Sequence, residues 1–296
     1  MMRVTNMTKA TQLLNNLRYM NTNIQDLQNK LATGRRIHRP ADDPVGVGYL
    51  MRYDTELNRT DEFLENVRTG KGILDTMDTL MGQVNDVLKR AKTLTMQAAN
   101  GTLPAETRLA IAAEMKQMKE QLVQIGNSSY RGSYLFNGQK MDVAPYTSAN
   151  AANEVTDRGV FYLNVSPSVT VPVSISGNEI FGEAGDAENT FKILDDVIAH
   201  LEANDQAALS ADLDRFDIAA DRIAKVWSEI GARMNRFELL ENRIMDEQVT
   251  LEKLKGEVSG VDMADAIIQL KIQENVLQAA LSTGARLSQL SLVDYL

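Results

Sequence analysis

Cysteine is absent from the 296-residue chain, so neither disulfides nor thiolate metal ligands hold any part of it together. A protein of this kind working outside the cell would be stable through packing or assembly alone. Histidine is almost absent as well. His38 falls in a basic stretch and His200 near a polar helix end, so a zinc site or a Cys/His nucleophile pair has no material, and both imidazoles are expected to be solvated. Gly70, Lys71 and Gly72 lack the spacing and the following Ser or Thr of a phosphate-binding loop. No cofactor, metal site or enzyme activity is expected. Aromatic residues make up only 5% of the chain against 44% hydrophobic, which favours long helices over a sandwich. No run approaches the roughly 20 apolar residues of a membrane span. Residues 1–14 have no apolar core of the secretory type, so export would need another apparatus. A net charge of −9, from 31 basic and 40 acidic residues, argues against nucleic-acid and anionic-membrane partners. Arg35, Arg36, His38 and Arg39 form a basic cluster, but no aromatics interleave it and Asp42 and Asp43 follow at once.

What the chain does have is a seven-residue beat. Ala10, Leu13, Leu17, Met20, Ile24, Leu27 and Leu31 alternate steps of three and four, the spacing of one coiled-coil seam. A lone helix of roughly 20 residues is marginal in water, so the seam needs a partner. The helix should stop near Thr33, with Gly34 in the left-handed C′ position. Asp43 is expected to cap the next helix, with Pro44 at its first position. It and Asp42 are expected to pair with Arg35, Arg36 or Arg39, Arg36 being the one assigned to a clasp across the loop. Asp42 is assigned to the same clasp.

The second helix should carry a seam at Phe63, Val67, Gly70, Leu74, Met77, Met81, Val84, Leu88, Ala91, Thr95 and Ala98, and a third helix one at Ile111, Met115, Met118, Leu122 and Ile125. From residue 130 to 185 the texture changes. Asn137 and Gly138 predict a hairpin turn. Val169, Val171, Val173 and Ile175 alternate as in a half-buried strand, which Pro172 assigns to an edge. Helix returns near Asn189 and runs to about Ala203. A long seam from Leu209 to Val258 follows, with polar exceptions at Glu241, Gln248 and Lys255 that point to exposure or another subunit. After Gly256 and Gly260 comes a last helix with a stripe at Met263, Ile267, Leu270, Leu277, Leu281 and Leu287, flawed by Glu274 and slipping at Gly284. Residues 1–40 carry seven Arg or Lys against one acid, and residues 256–296 carry five acids against two bases. Opposite charge and matching stripes make the last helix the natural partner of the first. Two helices alone still leave part of each stripe wet, so other copies should complete the burial.

The layout predicts a mainly α fold: an elongated bundle of long heptad helices from both chain ends with a small β-rich insert. Residues 1–43 and 259–296 would be terminal assembly helices, 44–129 and 186–258 a helical rod, and 130–185 the outer insert. The residues that carry a family resemblance are Thr33, Gly34, Arg35, Arg36 and Ile37, then Arg39, Pro40, Ala41, Asp42, Asp43 and Pro44, together with the paired terminal helices. With them the chain resembles the bacterial flagellin superfamily. Pro44 directly after the two aspartates, the start Met2, Arg3, Val4, Thr5, and the ending with Asp294 and Tyr295 are similar to its hook-associated protein 3 branch. That resemblance implies a secreted, non-enzymatic part of the extracellular flagellum, exported unfolded through the type III channel and assembled as a ring of copies between hook and filament. Its implied partners are hook-associated protein 1, flagellin, further copies of itself, and a cytoplasmic export chaperone on the C-terminal region. The alternatives are a flagellin filament subunit and, from another class, an intracellular coiled-coil adaptor.

Overall fold

The structure, a computed structural model, describes residues 6–100 and 103–293. Its elements are α1 (Asn6–Thr33), α2 (Pro44–Ala99), α3 (Ala105–Gly126), β1 (Ser129–Tyr130), β2 (Ser133–Tyr134), β3 (Tyr162–Ser166), β4 (Val169–Pro172), α4 (Gly177–Phe181), α5 (Thr190–Ala203), α6 (Gln206–Ser259) and α7 (Met263–Val293), with a 3₁₀ turn at Ala151–Asn153. The chain divides into two compact units. One joins Met1–Arg59 to Gln248–Leu296; the other is Thr60–Glu247.

The second unit holds a continuous core. Along α2 the expected seam is buried from Val67 to Ala98, with Phe63 half-buried at its start. Along α6 every seventh residue from Leu209 through Phe216, Ile223, Ile230 and Phe237 to Ile244 is buried, the signature of a seam kept facing its partner. Ile111, Met115, Met118, Leu122 and Ile125 close α3 onto the same cluster, and α3 packs on α5. Each large aliphatic side chain removed from water here contributes about 1.5–3 kcal/mol. Helix α5 starts where Asn189 accepts from the amides of Phe191 (3.0 Å) and Lys192 (3.4 Å), and ends at Asn204 in the left-handed region.

Several polar residues inside this unit are answered by specific partners, while the Tyr146 hydroxyl, the Thr190 hydroxyl and Arg222 Nη1 are buried without one. Glu241 interrupts the α6 seam because Lys71 (3.1 Å) and Arg68 (3.6 Å) on α2 pair with it, not because it is bare. The Trp227 indole N–H donates to Asp78 at 2.6 Å. Arg108, 2% exposed, donates to the Ala98 (3.0 Å) and Asn100 (3.1 Å) carbonyls, satisfying acceptors that the end of α2 leaves open, and also to Asn204. His200 is not free in solvent as expected: its Nδ1 lies 2.7 Å from the buried Asp212 carboxylate, which Arg215 also holds at 2.7 Å.

Residues 130–185 share this core rather than building one of their own. Tyr146 packs edge-on to Phe181 (5.6 Å between centroids) and tilted on Phe191 (5.0 Å), and burial pushes its hydroxyl pKa up. Two antiparallel two-stranded sheets form, β1–β2 and β3–β4. The first turns at Arg131 (φ 52°) and Gly132 (φ 86°), not at Asn137 and Gly138. Asn137 is drawn instead into long-range bonds: its side chain donates to the Val143 carbonyl (3.0 Å) and accepts from the Asp157 amide (3.0 Å), and its backbone bridges to Ser176. In the second sheet Val171 is buried in the strand, with Val173 and Ile175 buried just beyond it, and Pro172 faces Tyr162 where no third strand needs its missing N–H.

Candidate assembly surface

The first unit is a helix pair and a strap, and it starts from α1. α1 packs on α7. Burial along the α1 seam is graded: Ala10 is exposed, Leu13, Leu17, Met20 and Leu31 are half-buried, and only Ile24 (8% exposed) and Leu27 (9%) are buried. On α7 the face that meets α1 is not the stripe read from hydrophobicity. It runs through Ala266, Leu270, Gln273, Leu277, Ala280 and Gly284, again at steps of three and four, and relies on small residues. At Gly284 a Cβ would sit 2.7 Å from Leu13 Cδ2, so the apparent slip in the stripe is the point of close approach. Leu270 and Leu277 therefore belong to the intrachain seam. Met263, Ile267 and Leu281 do not: they are 46%, 49% and 54% exposed. The side chain of Leu287 lies outside the described residues, as do Met2, Arg3, Val4, Thr5, Asp294 and Tyr295.

Hydrophobicity alone also gives no reason to separate a second α7 row from the first. Ile268, Ile272 and Val276 recur every four residues, turn away from α1 and stand 59%, 53% and 44% exposed. Leu14 and Tyr19 on α1 are exposed too.

The strap is the loop between α1 and α2. Gly34 takes φ 67°, ending α1 as expected. The loop then pairs with the junction of α6 and α7: the Arg36 amide donates to the Ser259 carbonyl (2.7 Å) and the Val261 amide to the Gly34 carbonyl (3.1 Å). The Arg36 guanidinium donates to the Val258 carbonyl (3.0 Å) and to Asp43 Oδ2 (3.2 Å). One cation thus caps the C-terminal end of α6, where positive charge suits the helix dipole, while it holds Asp43, whose negative charge suits the N-terminal end of α2. Asp43 accepts from the Gly46 amide at 2.8 Å with Pro44 at the first helical position, the capping geometry expected. That amide, with Arg36 adding to it, holds the Asp43 pKa below the ordinary 3.8. Asp42 plays a different part. It accepts from the His38 (3.0 Å) and Arg39 (2.9 Å) amides, which do most to lower its pKa, and so rigidifies the loop. Lys255, an exception in the α6 seam, pairs with Asp54 at 2.5 Å.

Models of known families recognise both arms of this chain. Residues 4–141 match the bacterial flagellin N-terminal helical region and residues 213–296 the bacterial flagellin C-terminal helical region, three quarters of the sequence between them. The chain belongs to the bacterial flagellin family. Within the family it is 25% identical over 269 residues to the flagellar filament 30.7 kDa core protein of Treponema maltophilum, covering 90% of this chain and 89% of that one. It is 23% identical over 290 residues to flagellar hook-associated protein 3 of Salmonella typhimurium, covering 90% of each. The flagellar junction protein FlgL from Legionella pneumophila has a similar fold, with a TM-score of 0.57 at 16% identity over 71% of this chain and all of that structure.

Proposed function

We propose that the chain is a non-enzymatic structural subunit of the bacterial flagellum, placed at the junction between hook and filament. The observation that carries this reading is the unfinished burial of the terminal helix pair: α7 packs on α1 with one face and leaves Ile268, Ile272 and Val276, with Met263, Ile267 and Leu281, open to water. Such a surface in a structural family is covered by neighbouring subunits. The candidate interface comprises Leu13, Leu17, Met20, Ile24, Leu27 and Leu31 of α1 together with the open residues of α7, and the clasp of Arg36, Asp42, Asp43 and Pro44 fixes how α2 leaves the pair. On this reading copies form a ring with hook-associated protein 1 on one side and flagellin on the other, in heterologous contacts. A cytoplasmic export chaperone covers the C-terminal helix before secretion. The likeness to hook-associated protein 3 and to FlgL supports the junction.

A second reading, filament subunit, is favoured by the match to a filament core protein over nine tenths of each chain. Immunogold labelling of isolated flagella separates the two. Label confined to a band next to the hook is expected; label along the whole filament would give the second reading instead.

A further inference from the structure

The second unit carries a groove that its fold does not use. A cavity of about 220 Å³ opens between α2 and the β1–β2 hairpin, lined chiefly by Ile73, Met77, Tyr130, Tyr134, Phe161 and Val173. Pockets for small-molecule ligands run from about 300 to 1,000 Å³, so this one is the size for a single apolar anchor from a protein surface. Its rim holds one cation. Arg131 sits 5.5 Å over the Tyr130 ring, at a turn position with φ 52° where an unbranched, short polar residue or glycine is the usual choice. An apolar hole beside a fixed cation fits an apolar side chain with a carboxylate next to it.

Copies of this chain are rich in that pairing. Of the exposed large hydrophobic residues in the second unit, Val143, Val155, Ile218, Leu239 and Met245 each adjoin an acid in sequence. Leu239 beside Glu238 fits best. It is 70% exposed, and Glu238 is exposed as well, whereas Glu154 next to Val155 is held by Thr147 and Asp217 next to Ile218 by Lys92. Leu239 also points the right way. Phe237 is buried in the core, and two residues on, about 200° round the helix, the side chain faces away from it. No residue of α6 lines the groove, so groove and anchor are separate patches, as a head-to-tail contact requires.

We propose that the groove is an interface between copies: Leu239 of one subunit enters the pocket of the next, with Glu238 against Arg131. The proposal rests on the assembly reading only in that copies must meet side by side. Because the chain lacks cysteine, engineered thiols report the contact without background. The variant carrying both Ser133→Cys and Leu239→Cys is introduced in place of the native chain, and isolated flagella are oxidised. A ladder extending past the dimer is expected for the double variant and no ladder for either single one. The charge reversal Arg131→Glu should reduce the ladder at least tenfold, and adding Glu238→Arg should restore it. Flagella that contain the double variant but give no ladder overturn this contact and leave the assembly reading standing. Dimers from Ser133→Cys alone show a symmetric groove-to-groove contact and overturn it too. Absence of the chain from the flagella overturns both readings.

Discussion

The two units use the same three-four spacing and end in opposite states. Among the described residues, the second unit holds forty-three buried hydrophobic residues in one cluster, while the first holds four: Ile24, Leu27, Ile37 and Ala266. Exposed large hydrophobics run the other way, with thirteen of twenty-two in the smaller first unit. The difference lies in how many neighbours each stripe has. In the second unit α2, α3, α5 and α6 cover one another and the insert closes the rest. In the first, α1 and α7 have chiefly each other, and a stripe wider than one partner stays partly wet.

The largest effect should come from the covered side of this comparison. Phe237→Ala removes a fully buried ring from the α6 seam and should cost about 3–5 kcal/mol in denaturant unfolding. The chain's one tryptophan, Trp227, lies in the second unit and reports that transition alone. Ile24→Asp tests the open side. It should leave the Trp227 transition unmoved while excluding the chain from flagella. A matching drop in that transition would make the two units one cooperative body and dissolve the contrast.

Legibility followed the same division. Strict heptads surrounded by partners, such as Val67 to Ala98, could be read directly, because any arrangement that buries one face of so regular a stripe looks alike in sequence. The start of α5 was legible near Asn189, which caps it as a local event. What hid was pairing over distance. Glu241 looks like a flaw until Lys71 arrives from 170 residues away, and Asn137 looks like a hairpin turn until the Asp157 amide claims its side chain. On α7, hydrophobicity could not choose between two apolar faces. The choice fell to Ala266, Ala280 and Gly284, residues that offer little apolar surface but let α1 come close.

Gly284→Val sharpens that last point. The new side chain meets Leu13 where a Cβ alone already comes to 2.7 Å, an overpacking of about 1–3 kcal/mol. Confined to the helix pair, this should speed amide exchange along α1 roughly tenfold, since 1.4 kcal/mol is a factor of ten, without moving the Trp227 transition. Leu13→Ala in the same chain should recover most of the protection. Unchanged exchange in the single variant would mean that the pair slides freely past this position.

The smallest effect is expected at the clasp, where it separates the units by pH. Asp43 is held below its ordinary pKa first by the Gly46 amide and then by Arg36, and Asp42 by the His38 and Arg39 amides. A carboxylate whose folded-state pKa is depressed contributes its full stabilisation at neutral pH and loses it as pH falls through the folded value, here below 3.8. The Gly46 amide resonance should therefore titrate in that acid range, and Asp43→Asn should remove the titration while keeping a capping side chain. The second unit provides the control. Burial works against ionisation of Asp196, but Lys192 and Arg215 outweigh it, so its pKa is lowered as well. Acid should thus weaken both units in wild type, and Asp43→Asn should flatten the response of the Gly46 region alone. A simultaneous change in the acid dependence of Trp227 fluorescence would show that the clasp, though built from residues of the first unit, carries strain into the second.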